Sequence, residues 1–354
     1  MLFWETVAFN LFDLLNPACY DNRYFMKKRK IVVIGGGTGT YTVLSGLKKF
    51  SNLDISAIVS MMDSGGSNRV IRDEFGLLPT SDIRQCMVAL ASGVSNKTLR
   101  DLFTYRYSHG TGIEGMTFGN LFMAALTDIS GSQKKAIAET CELLGVTGSI
   151  IPVTYDDVHL LAKYENGAEV LGEHNIDEEN KFNGKYKITN LSLVPLAKAN
   201  RDGLNAIVES DFVILGPGDL YTSVICNLLL SGVKNAFKKT KAQVVYVMNI
   251  MTRNTQTSGF TAQDHTSEIE KYLGRMVDTI ILNKSKIQPK ALSWYNKFGM
   301  KPVVDDLRNG RRHNVVRKSV ASSTFYKKSK GDKLTRSLIR HDPDKLAKAI
   351  VSLF

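Results

Sequence analysis

Lys30-Ile31-Val32-Val33-Ile34-Gly35-Gly36-Gly37-Thr38-Gly39-Thr40 is the stretch whose reading decides the fold. Ile31 to Ile34 form an unbroken apolar run, as expected of a strand buried on both faces of a parallel sheet. Three glycines follow at once. Beyond Thr38-Gly39 a helical period begins, with Val43, Leu44 and Leu47 on one side. The order is strand, tight glycine turn, helix. Such a turn lets backbone N–H groups approach an anion, and the helix N-terminus adds about half a positive charge. The pattern is not G-x-G-x-x-G, because Thr40 stands where a later glycine is expected, and it lacks the Gly-Lys-Ser/Thr ending of a P-loop. A turn of this composition with no ligand is the alternative. Its place at the first strand of the expected sheet favours a phosphate site over Gly35, Gly36, Gly37, Thr38 and Gly39.

The chain has 354 residues and an ordinary globular composition, enough for a large core in one α/β domain or two smaller ones. Alternating strand and helix patterns favour the α/β class. Cys19, Cys86, Cys141 and Cys226 are far apart and form no CxxC pair, so metal and disulfide readings are weak and a reducing cytoplasm is the simple inference. Net charge is +12 and unevenly placed: residues 301–342 hold twelve Lys/Arg against four acids. A basic segment of this kind serves nucleic acid, an anionic membrane surface or a phosphorylated ligand, or is simply solvated. No RNA- or DNA-reading motif accompanies it, which disfavours nucleic acid.

Residues 1–29 read as an N-terminal extension. Its apolar run before Pro17 is too short to span a bilayer and lacks the basic start and small-residue cleavage site of a signal peptide. Two readings stand: Met26 is the true start, or the segment is an amphipathic arm. The main domain is expected over 30–354.

Within it, Ile55 to Ser60 is the expected second strand. It ends in Met61-Met62-Asp63-Ser64-Gly65-Gly66-Ser67-Asn68, which is either a good turn or part of a ligand crevice. In the second case Asp63 meets a ribose hydroxyl or a metal, and the Gly65, Gly66 and Ser67 backbone meets a phosphate. Ser81 or Asp82 caps the next helix, and further helices are expected at about 97–107, 118–129 and 133–144. Asn120 caps the second of these or holds a ligand, and its spacing favours the cap. Residues 149–195 alternate, with hairpin signals at Asn166-Gly167 and Asn183-Gly184, and read as a small antiparallel insertion serving as a flap. Asp211 to Leu215 resumes the α/β pattern and opens through Gly216-Pro217-Gly218-Asp219 into a helix. Val244 to Val247, followed by Asn249 and Thr252, and Val277 to Leu282 are the next strands. The chain ends in a helix with Asp342 as N-cap and Pro343 at N1, preceded by Arg340, a residue suited to bidentate phosphate contact.

Taken together these motifs resemble the CofD-like superfamily, and more closely its bacterial YvcK branch, the gluconeogenesis factors. The resemblance rests on Gly35-Gly36-Gly37-Thr38-Gly39, Asp63-Ser64-Gly65-Gly66-Ser67, Leu78-Pro79-Thr80-Ser81-Asp82-Ile83-Arg84 and Phe118-Gly119-Asn120-Leu121. It extends through Leu215 to Ser223, Gly259-Phe260-Thr261, Asp264-His265 and Arg340-His341-Asp342-Pro343. It implies a Rossmann-like, mainly parallel sheet with helices on both faces and a nucleotide or UDP-sugar, such as UDP-N-acetylglucosamine, at its carboxyl edge. The implied binding residues are Gly35 to Gly39, Asp63, Gly65 to Ser67, Asn120, Gly216, Pro217, Gly218, Asp219, Asn249, Thr252, Phe260 stacking on a base or sugar, and Arg340. The chain departs from the family pattern at Asn68-Arg69-Val70, Pro79-Thr80-Ser81-Asp82 and Met251 to Thr257.

The implied function is a non-enzymatic nucleotide-sugar-binding regulator of carbon metabolism, cell-wall synthesis and cell shape. It would sit in the cytoplasm, with protein partners in wall synthesis and scope for oligomerisation, and would require no cofactor. The alternative is a phospholactyl-type transferase resembling CofD, using a nucleotide-diphosphate-activated donor and Mg²⁺. Asp63 and Asp82 are the one carboxylate pair suited to hold that ion. No Cys or Ser stands beside an identifiable His partner.

Overall fold

A computed structural model describes residues 28–92, 97–178, 184–308, 310, 312–327 and 337–354. The expected arm at 1–25, the Asn183 half of the second hairpin turn, and Arg311, Lys328, Lys330, Lys333 and Arg336 of the basic segment lie outside the described residues.

Seven strands form one sheet: β1 (Arg29–Gly35), β2 (Leu53–Val59), β3 (Ser149–Pro152), and, after an excursion, β7 (Phe212–Leu215), β8 (Gln243–Val247), β9 (Thr279–Asn283) and β10 (Asn314–Lys318). The excursion carries β4 (His159–Tyr164), β5 (Glu169–Leu171) and β6 (Ile188–Val194) in a separate antiparallel sheet of order β5-β4-β6. The large sheet runs β10-β9-β8-β7-β1-β2-β3, with every neighbouring pair parallel. From β1 the chain moves outward to β2 and β3, then returns to the other side of β1 as β7. The direction of winding therefore reverses between β1 and β7, which is where open α/β sheets leave a crevice at their carboxyl ends.

The apolar run from Ile31 to Ile34 behaves as its composition demands. Ile31 and Val33 enter one core layer with Phe212, Ile214 and Val245, while Val32 and Ile34 enter the other with Val213, Leu215 and Val244. Alternate side chains point to opposite faces, and both faces are covered. The helix Gly37–Leu47 buries Val43, Leu44 and Leu47 against the first layer. The antiparallel sheet buries Leu160, Ala162, Tyr164, Leu191 and Leu193 in the same cluster as Val32 and Ile34, so it shares the core of the large sheet.

Two helices differ from expectation. The one beginning at Lys97 stops at Thr104, and the chain then turns into a bridge between Arg106 and Thr117. Beyond Gly218 there is no regular α-helix: Leu220–Val224 is a π turn, and a 3-10 turn, Ile225–Leu228, continues it. Single π turns of this kind commonly accompany functional sites. In the basic segment Arg317 is bidentate to Asp305 and Arg312 pairs with Glu270, so part of its charge is compensated within the fold.

The first helix approaches the β7 exit very closely: a Cβ on Gly39 would stand 1.8 Å from the carbonyl oxygen of Pro217. Backbone cannot yield as a flexible side chain does, so Gly39→Ala is expected to cost about 2–4 kcal/mol of stability. Urea unfolding of the variant beside the parent checks this, and an unchanged midpoint would contradict it.

Candidate functional site

The carboxyl ends of β1, β2, β7 and β8 surround a cleft of about 560 Å³. Its floor is the β1 exit, where Gly36, Gly37, Thr38 and Gly39 all line the cavity. Gly37 has φ of +62°, a conformation natural to glycine. Gly36 faces Asp82 so closely that a Cβ there would lie 2.4 Å from Oδ2. Three helices begin at this cleft, at Gly37, Gly66 and Ser81, and none receives a side-chain cap at its N-terminus. Their first-turn N–H groups and dipoles therefore converge on one space, an arrangement suited to phosphate oxygens.

The β2 exit contributes Asp63, Gly65, Gly66 and Ser67. Asp63 Oδ1 accepts from Gly65 N at 2.9 Å and Oδ2 accepts from Asn68 Nδ2 at 2.6 Å. Asn68 in turn accepts from the Ser81 backbone and hydroxyl, which ties two of the helix starts together. Asn120 stands behind them. Its Nδ2 donates to Ser67 Oγ and Ser81 Oγ at 3.0 and 2.9 Å, and its Oδ1 accepts from Arg84 Nε at 2.9 Å. The cap of its helix is Thr117. Asn120 is thus neither cap nor cleft residue: it is fully buried and braces the two serines, because a buried carboxamide must spend its donors and acceptor on neighbours.

The third wall holds Pro217, Gly218, Asp219, Asn249, Thr252 and Arg340. Asn249 Oδ1 accepts from Gly218 N at 3.3 Å, and Thr252 Oγ1 accepts from Lys301 N at 3.0 Å. The Arg340 guanidinium stacks 3.3 Å from the Tyr326 ring centroid. Gly35 and Gly216 sit one step inside, at strand ends, and shape the loops without lining the cavity. Phe260, expected to stack on a ligand, does not line the cleft either. It lies in the core, edge-on to His265, where its bulk is worth more than on an open wall.

The antiparallel sheet supplies residues that the sequence reading missed. The turn of helix Glu173–Asp177 brings Glu173, His174 and Asp177 to the cleft, followed by Glu178. Asp177 is gripped from the opposite side: Arg253 Nη2 donates to Oδ2 and Gln256 Nε2 to Oδ1, each at 2.8 Å, and Thr255 Oγ1 donates to its carbonyl. Ser64 joins too, donating its N–H to Glu173 and accepting from His174 N. Burial, then Asp63 and Asp177, push the Glu173 carboxyl well above the usual carboxylate range. Burial opposes the charge on Arg253, but Asp219 and Asp177 outweigh it and hold that guanidinium above its ordinary value. The polar run Glu173-His174-Asn175 after a short strand was the available signal.

A family model described as "2-phospho-L-lactate transferase CofD" matches residues 31–322. The chain belongs to the CofD family. A Thermotoga maritima member, described as "Putative gluconeogenesis factor", is 38% identical over 321 residues, 91% of this chain and 98% of its own length. The "Gluconeogenesis factor" of Halalkalibacterium halodurans is 36% identical over 328 residues, covering 92% and 97%. A crystal structure of a Bacillus halodurans protein superposes with a TM-score of 0.80 at 33% identity, over 92% of this chain and all of that one. Among the described residues of this CofD-family chain, no helix is long and apolar enough to cross a membrane.

Two outcomes are expected from this geometry. Asn120→Ala leaves Arg84, Ser67 and Ser81 short of partners inside the fold and should cost about 2–4 kcal/mol, measured by urea unfolding. His341 lines the same cleft, and burial pushes its imidazole down to about 4, against a bond to the Met248 backbone. Its folded value lies below the unfolded one, so as pH falls from about 6.5 towards 4 the unfolded chain takes a proton that the folded ring refuses. Stability drops across that window, by about 2 kcal/mol at pH 5 from this residue. His341→Gln should shrink the difference between unfolding midpoints at pH 7 and pH 5.

Proposed function

We propose that this CofD-family chain is a nucleotide-sugar-binding regulator, with a UDP-sugar such as UDP-N-acetylglucosamine as its ligand. The observation that carries the reading is that the loops at 36–39, 65–67 and 217–219, far apart in sequence, line one cleft at the winding reversal of the sheet. Uncapped helix starts suit the diphosphate, Arg340 supplies a cation on the same cleft, and the acid-rich flap suits sugar hydroxyls. The relatives' names support a role in carbon metabolism. On this reading the protein acts in the cytoplasm by presenting its ligand state to protein partners in wall synthesis and cell shape.

A second reading, a phospholactyl-type transferase, is favoured by one observation: the Asp82 carboxylate lies against Gly36, in the same cleft as Asp63. Mg²⁺ usually takes one or two carboxylates together with substrate phosphates. Asp82 fits that role on the phosphate side, whereas both Asp63 oxygens already accept hydrogen bonds from Gly65 and Asn68. Bound there, the ion would neutralise charge on a diphosphate. Among the described residues no three His, Cys, Asp or Glu are grouped to hold a metal by themselves.

Calorimetric titration with UDP-N-acetylglucosamine, GDP with and without Mg²⁺, and a short oligonucleotide separates the readings. The regulator reading expects UDP-sugar binding without metal, weakened roughly ten- to hundredfold in Arg340→Ala, the scale of a lost charge-assisted contact. GDP binding that depends on Mg²⁺, with no UDP-sugar binding, would favour the transferase.

A further inference from the structure

We propose that the wall formed by the β8 exit and residues 337–341 is the base subsite of the cleft, and that His341 Nε2 accepts a hydrogen bond from a ring N–H of the base. The inference rests on the nucleotide reading above and names which nucleotides that site accepts.

The cleft divides by character. On the β2 side it presents Asp63, Asp82, Glu114, Glu173 and Asp177, a lining made for hydroxyl donors. On the β8 side it presents Ile250, Met251, Tyr295, Met300 and Ile339, an apolar lining that suits a planar heterocycle. The glycine loops of β1 and β7 lie at the reversal between β2 and β8, where a diphosphate would join the two ends.

His341 is the polar residue set into the apolar wall, and it is 8% exposed. One ring nitrogen bonds the Met248 backbone, an interaction that stabilises the ring's N–H, whereas Nε2 has no partner among the described residues. A carbonyl partner requires the proton at Nδ1, so the neutral ring offers a lone pair at Nε2 and nothing else. Nine buried side-chain polar atoms are without a partner among the described residues, and those of His341 and Arg253 belong to cleft residues. A buried acceptor left unmade costs free energy, which a ligand donor would recover. The ring is also held in place. Tyr295 Oη accepts from Ile339 N at 2.9 Å, and the backbone on either side bridges to Ser322 and Val320. Protonation does not compete near neutral pH, because burial keeps the ring neutral down to about pH 4.

A pure acceptor distinguishes bases. Uracil and guanine carry a ring N–H, at N3 and N1. Cytosine and adenine carry a lone pair at the corresponding atom, which would face the Nε2 lone pair. The shared chemistry is therefore a nucleoside diphosphate with an imide-type N–H, and the uridine and guanosine arms of the test separate the two sources.

The test is calorimetric titration of the full chain with UDP, GDP, CDP and ADP, for the parent, His341→Gln and His341→Leu. The parent is expected to bind UDP or GDP at least about tenfold more tightly than CDP and ADP. His341→Gln, whose amide oxygen restores an acceptor, should keep that preference, and His341→Leu should reduce it to about twofold or less. Equal binding of all four by the parent overturns the inference while leaving the nucleotide site standing. A preference that survives in His341→Leu overturns it as well. Binding of none of the four by the parent would remove the nucleotide reading itself. The parent's selectivity decides the matter even where a variant fails to fold.

Discussion

The site depends on two backbone segments touching. The first helix begins directly off β1, and its Gly39 meets the Pro217 carbonyl at the exit of β7 with no room for a methyl group between them. Parallel neighbours must be joined by long crossovers, so β1 and β7 are separated by most of the first half of the chain although they share a ladder. The glycine lets their loops close to form a continuous floor. Gly46 repeats the device farther along the same helix: a Cβ there would stand 2.1 Å from the Pro343 carbonyl, so the last helix, Pro343–Val351, also lies flush on the first.

Around that floor, the cleft draws its polarity from what its walls must satisfy internally. Asn68 and Asn120 lock Asp63, Ser67 and Ser81 into fixed positions, so the donors at the helix starts keep one geometry. On the opposite side Asp177 is held by Arg253, Thr255 and Gln256. This contact bridges the small antiparallel sheet and the large parallel one, which makes the flap a structural part of the cleft wall. The pair Arg253 and Asp177 is largely withdrawn from solvent, so losing either partner would strand the other's charge.

Much of the fold is legible in the sequence because it follows local rules. Ile31 to Ile34 can be read as a doubly buried strand from composition alone, and the glycines after it as a strand-to-helix turn. Asp342-Pro343 announces its helix correctly, since an Asp cap and a Pro at N1 satisfy needs within a few residues. The loop residues at strand ends are legible for a similar reason. What escapes are residues whose role is set by distant partners. Asn120 looks the same in sequence whether it caps a helix, binds a ligand or braces serines 39 and 53 positions away. Phe260 carries no mark of which way its ring turns. Glu173 and Asp177 lie in an insertion whose placement follows from tertiary packing, and the Arg253 to Gln256 segment gains meaning when Asp177 is seen beside it.

The cleft takes its walls from Gly36 at one extreme and His341 at the other, with the flap and the β7 and β8 exits between. A chain emerging in order therefore completes the large sheet's inner strands well before the final wall exists. No sub-fragment carries the whole recognition surface, and occupancy becomes a report that synthesis and folding have both run through residue 341. A cell reading this protein's ligand state would hear from finished molecules alone.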